Sequence, residues 1–205
     1  MRTELGGSFT AVAADAADPV AAGQLIDTYR PRVLVLNAGA APLPRPVHHH
    51  TWQTFSRNWE VDVQQVFNFT REALLTPLAP GSTVITLSSG AALRGSPLSG
   101  GYAGAKAAIR WLTGYAAEES QRAGLGIRFV TLLPQLTPAT DLGARYVAAY
   151  AARQAGGPAA PSAGGPAGPP LTPDLAGQAI TDLTADPGYQ EHAYVLTAEG
   201  LRPLA

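Results

Sequence analysis

Five short apolar runs alternate with longer stretches of helical period along this chain. The runs are "SFTAVAA" (8–14), "RVLVL" (32–36), "STVITLS" (82–88), "GIRFVTLL" (126–133) and "AYVLT" (193–197). Each is brief, rich in β-branched or other apolar residues and bounded by turn formers, the pattern of strands covered on both faces. Helices are predicted between them. Asp18 and Pro19 supply an N-cap and a preset first position for 19–29. Further helices follow from about 52 to 76, from Gly100 to about Ala123, and after Thr172-Pro173. Strict alternation of strand and helix implies βαβ crossovers, hence an α/β fold with a doubly wound parallel sheet.

Two helical faces carry more information. Trp52, Phe55 and Trp59 fall at i, i+3 and i+7 and are expected in the core. In the helix from Gly100, Ala105, Ala108, Ile109, Leu112 and Ala116 form one apolar stripe, and Gly104, Ala107, Trp111 and Tyr115 a neighbouring one. A helix apolar on two sides buries one against its sheet and suits a helix of a second subunit on the other. A homodimer or homotetramer is expected. Residues 155–173, "AGGPAAPSAGGPAGPPLTP", hold 5 Gly and 6 Pro and cannot form a regular element. A lid over a site and a disordered segment are both open readings.

Composition narrows the class. The 205 residues, 46% hydrophobic and 14% charged, suit a single globular domain over 1–205. A net charge of -1 gives no basic field for a nucleic acid. The chain has no cysteine, no signal-peptide pattern and no membrane-length apolar run, so a cytoplasmic protein without a membrane partner is expected. His48, His49 and His50 are consecutive, a spacing that suits a solvated loop and not a metal site.

The chemistry lies in "LSSGAALRGSPLSGGYAGAK" (87–106). Tyr102 and Lys106 are one helical turn apart on a shared face, and Ser89 follows the third strand, where open α/β sheets bind ligands. An ammonium beside a phenol is expected to lower its pKa, and a hydroxyl can orient a substrate oxygen. Together they form an acid/base site for a carbonyl or secondary alcohol. Such a site needs a nicotinamide to carry the electrons. Leu93, Ser96 and Leu98, between the Ser and the Tyr, are candidates for a substrate wall or for plain loop packing.

A Tyr-x-x-x-Lys pair alone is a weak motif, but its context is specific. Taken with "AADAAD" (13–18), "LNAGA" (36–40), "TLSSGAALRGSP" (86–97), "YAGAK" (102–106) and "GIRFVTLLPQLTPAT" (126–140), the chain resembles the short-chain dehydrogenase/reductase family over nearly its whole length. The resemblance implies a Rossmann-like fold and NAD- or NADP-dependent hydride transfer. It implies Tyr102 as acid/base, Lys106 as its assistant and ribose ligand, and Ser89 as the group that orients the substrate. Asp15 would contact the adenine edge, Asn37, Ala38 and Gly39 would lie beside the cofactor, and Pro134 would begin the turn near the nicotinamide. Asp62 aligns with the family's catalytic Asn, and residues 141–172 with its substrate lid.

Two departures stand out. Gln135 stands where a Gly usually follows the proline. No glycine-rich turn follows a first strand, and "MRTELGGSFTAVAAD" reads as the end of the second helix and the third strand, so the chain reads as N-terminally truncated relative to the family. In that case residues 8–14 are either stranded or paired with 32–36. Either Met1 is not the physiological start, or the shortened protein is natural. A natural short form could act as a partner-binding subunit without normal dinucleotide binding, or as a non-redox lyase or cyclase.

Overall fold

The computed structural model describes residues 9–155 and 169–204. Helices α1 (Pro19–Tyr29), α2 (Trp52–Asn58), α3 (Gln64–Leu75), α4 (Ala91–Arg94), α5 (Gly101–Arg122), α6 (Asp141–Ala155) and α7 (Pro173–Ala185) surround one sheet. Its strands are β1 (Val33–Leu36), β2 (Thr83–Leu87), β3 (Arg128–Pro134), β4 (Ala193–Thr197) and β5 (Gly200–Pro203), in that spatial order. The first four are parallel, and β5 turns back antiparallel on β4. The register sets Leu36 beside Thr86 and Thr86 beside Thr131, so the carboxyl ends of β1, β2 and β3 open onto one edge.

Alternation along the strands covers both faces. Val84 and Phe129 join Ile109 of α5, Val66 and Phe69 of α3 and Ile26 of α1 in one cluster. Ile85, Val130 and Leu132 point the other way, onto Leu183 of α7 and Tyr194. Local chemistry fixes the helix ends. Asp18 accepts the Val20 amide at 2.9 Å, Thr172 accepts that of Leu175 at 3.3 Å, and Thr51 and Thr54 cap α2 reciprocally.

Four expectations need correction. Residues 9–14 form no strand and are exposed. The Asn68 side chain donates to Ala17 O at 2.8 Å, holding the start of α1 against α3, and the residues before it find no ladder partner along β1. Val33 and Val35 of β1 are accordingly exposed. Trp52 and Trp59 are not core: Trp52 is 77% exposed and Trp59 is also exposed. The contact of α2 with α5 runs through backbone, since a Cβ at Gly101 would lie 1.9 Å from Phe55 O, leaving Trp52 to stack outside on Phe55. The stretch 141–155, expected within a loop, is α6, built of Ala-rich helix formers with the Thr140 hydroxyl accepting Gly143 N at 3.1 Å. Residues 156–168 of the Gly/Pro tract lie outside the described residues. Finally, β5 was not expected, being four residues with little alternation; Gly200, at φ 111°, makes its hairpin possible.

The predicted helix 52–76 is one rod interrupted by a π turn at Trp59–Val63. That turn accommodates one extra residue and shifts the helical phase by about 100°. Asp62 lies within it.

Candidate active site

Two residues at the end of β2 begin the site. The Ser88 hydroxyl donates to Lys106 O at 2.7 Å, tying the strand to α5. The Ser89 hydroxyl accepts the Ala91 amide at 3.1 Å, starting α4. Gly90 N donates to Pro134 O at 2.9 Å, which joins the ends of β2 and β3.

Helix α5 carries Tyr102 and Lys106 inward. Lys106 Nζ donates to Leu87 O at 3.0 Å and lies 3.2 Å from Asp62 Oδ2 and 5.7 Å from the centroid of the Tyr102 ring. Asp62 is 2% exposed and satisfied: Ala40 N donates to Oδ1 at 2.8 Å, and Asn58 Nδ2 lies 3.3 and 3.4 Å from its oxygens while donating to Ala40 O at 2.7 Å. Gly39 is needed here. A Cβ on it would sit 2.9 Å from Asp62 Oδ2.

These groups open onto a cavity of about 900 Å³ at the carboxyl ends of β1, β2 and β3. Asn37, Gly39, Asp62, Ser89, Tyr102, Lys106 and Pro134 line it. Ala38 does not, and Asp15 lies away from it, exposed in the turn before α1, where its carboxylate accepts Ala17 N at 2.9 Å. Leu93 and Ser96 line the cavity; Leu98 is core instead. His50 faces Thr54 Oγ1 at 3.2 Å, and no group of three His, Cys, Asp or Glu able to hold a metal occurs among the described residues.

The electrostatics differ from the expectation of an acidified phenol. Burial raises the Tyr102 pKa above the ordinary tyrosine value, the nearby Ser89 hydroxyl opposes this by favouring the phenolate, and the negative charge of Asp62 raises it further. Burial lowers Lys106, while Asp62 opposes that by charge and hydrogen bond. The ammonium is engaged by a buried carboxylate, so its field at the phenol is largely cancelled. Sequence reasoning missed Asn58, Tyr146 and Tyr150. The tyrosines stand one turn apart on α6, and that spacing was their only signal.

The family model described as Enoyl-(Acyl carrier protein) reductase matches residues 1–160. No curated protein matches the chain. Among solved structures, a 3-ketoacyl-(acyl-carrier-protein) reductase from Brucella melitensis complexed with NADH aligns with TM-score 0.70 and 24% identity, over 92% of this chain and 75% of that one. A short chain dehydrogenase from Mycobacterium avium aligns with TM-score 0.73 and 22% identity, over 99% of this chain and 66% of that one. A short-chain dehydrogenase/reductase (glucose/ribitol dehydrogenase) from Brucella melitensis gives 0.74 and 18%, over 94% and 77%. No helix among the described residues is long and apolar enough to cross a membrane. The family match across most of the chain, with the shared fold and a Ser, Tyr and Lys on one cavity, places this protein in the short-chain dehydrogenase/reductase family of oxidoreductases.

Proposed function

We propose that the protein catalyses NAD- or NADP-dependent interconversion of a small carbonyl compound and its secondary alcohol. The observation that carries the reading is the convergence of Ser89, Tyr102, Lys106 and Asp62 on one cavity at the carboxyl edge of the sheet. Ser89 holds the substrate oxygen, and Tyr102, kept protonated by its burial, donates the proton to it. Lys106 is a positioning residue fixed by Leu87 O and Asp62. A nicotinamide bound beside them supplies the hydride.

The donor set fits the nicotinamide-ribose half of such a cofactor. Lys106 has three N–H donors, two of them directed to Leu87 O and Asp62, and one remains for a ribose hydroxyl. Asn37, Gly39 and Pro134 flank the same space. The described residues offer no comparable cradle for the pyrophosphate, and Asp15 is not beside the cavity. That observation favours a second reading, a cofactor-poor homologue acting as a partner-binding subunit. Titration with NADH and with NADPH followed by fluorescence, together with turnover of Tyr102→Phe, separates the two. The first reading expects binding of one of the two and a loss in kcat of about 10²- to 10⁴-fold in the variant. Full turnover by Tyr102→Phe sinks it, and absence of binding by both NADH and NADPH leaves the second.

We further propose a cytoplasmic homo-oligomer. Trp111, 56% exposed, stacks on exposed Tyr115 with centroids 6.5 Å apart, and Phe67, Leu74, Leu75 and Leu112 continue this apolar surface between α3 and α5. A surface of that kind suits a second copy of the same helices.

A further inference from the structure

Helices α4 and α6 border the cavity, and each brings an arginine to it. Arg94 ends α4, and Ala91, three residues before it on the same face, lines the cavity with it. Arg145 belongs to α6, and Leu142, again three residues before it, lines the cavity with it. The two helices are tied to one wall. A Cβ at Gly143 would lie 2.0 Å from Thr137 O, the Thr140 hydroxyl donates to Thr137 O at 2.8 Å, and the Tyr150 hydroxyl donates to Ser96 Oγ, close to Arg94 in the chain. Both arginines are exposed, so a guest can reach them.

The charges on this wall do not cancel. Five charged side chains line the cavity, and Lys106 and Asp62 are paired at 3.2 Å. That leaves Arg94, Arg145 and Asp141, an excess of positive charge, and among the described residues none of the three forms an ion pair. A cleft lined by one sign of charge concentrates ligands of the opposite sign. Guanidinium groups, with five donors in a planar fork, match the oxygens of a carboxylate or phosphate. The reacting carbonyl has no need of them, since on the proposed reading Ser89 and Tyr102 take its oxygen. Three residues of helix also put Arg94 about 5 Å along the axis from Ala91, whose amide rests on the Ser89 hydroxyl. We propose that Arg94 and Arg145 bind an oxyanion, carboxylate or phosphate, at the end of the substrate remote from the reacting carbonyl, so that the cavity selects anionic carbonyl compounds. The requirement is for charge, which a neutral ester or thioester does not meet. This inference rests on the proposed oxidoreductase reading for the identity of the reacting carbonyl.

The test uses 6-oxoheptanoate and 5-oxohexyl phosphate, ketones with an anionic end, each beside its neutral methyl ester. Their dissociation constants for the 205-residue protein are measured by ligand-observed NMR titration in the wild type, Arg94→Gln, Arg145→Gln and the double variant. At least one anion should bind the wild type about tenfold more tightly than its own ester, and the larger ratio names the head group. Each single substitution should reduce that ratio to about threefold and the double substitution to about one, with ester affinities unchanged within about twofold. Added salt should narrow the wild-type ratio. A wild-type ratio near one for both pairs, a ratio that survives the double substitution, or equal weakening of anion and ester overturns the inference. So does weaker binding of NADH or NADPH by the double variant, which assigns the arginines to the phosphates of the cofactor. Failure of the oxidoreductase reading is visible separately, as absence of NADH and NADPH oxidation with either ketone while the charge preference of binding persists.

Discussion

Replacing Asp62 by Asn tests the electrostatic core of the site. The amide oxygen can still accept from Ala40 N, so the change removes charge with little loss of shape. Two unit charges 3.2 Å apart at an effective dielectric near 20 attract by about 5 kcal/mol. Removing one partner of a buried pair typically costs about 3–5 kcal/mol. Lys106 can reduce this by releasing its proton, because both influences that raise its pKa come from Asp62. In a chain of this length each kcal/mol corresponds to about 2–4 °C, so Asp62→Asn should lower Tm by about 6–20 °C at pH 7. The pH dependence follows from the direction of the Lys106 shift. A lysine whose folded pKa lies below its unfolded value of about 10.4 leaves the unfolded chain binding more protons between the two values, so stability rises with pH across that window. Asp62→Asn deepens the depression and widens the window downward. The Tm difference from wild type should therefore shrink by about half or more between pH 7 and pH 9.5, measured by differential scanning calorimetry. A deficit that is constant with pH, or grows, would show that Asp62 acts by shape alone and refute the reasoning.

Tyr102 stays protonated above the ordinary phenol range, so carbonyl reduction should hold a level kcat from pH 6 to about 9 and fall only beyond, whereas alcohol oxidation should rise with pH. A reduction rate already falling between pH 6 and 8 would contradict that assignment. Trp111→Glu should convert an oligomer into monomers by introducing a charge on the exposed α5 stripe, as read by sedimentation equilibrium. An unchanged mass, or a monomeric wild type, would remove the proposed interface.

What could be read from the sequence was local. Asp18-Pro19 and Thr172-Pro173 mark helix starts through hydrogen bonds spanning two or three residues, and Tyr102 and Lys106 share a face because they are one turn apart. The parallel sheet was legible because doubly covered strands are apolar throughout. Residues 9–14 are apolar as well, but a strand also needs a partner edge, and no local pattern reports whether that edge is present. The spacing of Trp52, Phe55 and Trp59 suggested a buried face that Gly101 makes unnecessary, by letting backbone meet backbone. The π turn that aims Asp62 leaves no periodic signature, and Asn58 joins the site by bridging Asp62 to Ala40, which lies 18 residues away in the chain. Helix α6 was hidden because the Gly/Pro tract beside it dominated the reading of the whole stretch.

The docking of α5 gives the cavity two walls of different character. On one side, Gly101 against Phe55, Ser88 on Lys106 and the Asp62 carboxylate lock strand end, π turn and helix into a single piece, so a change in any one disturbs the others. On the other side, among the described residues, α6 is held by its docked start and by the hydrogen bond from the Tyr150 hydroxyl to Ser96. Substitutions on α6 can therefore accumulate and retune which guests are admitted without paying in proton-transfer geometry, while the opposite wall tolerates almost none.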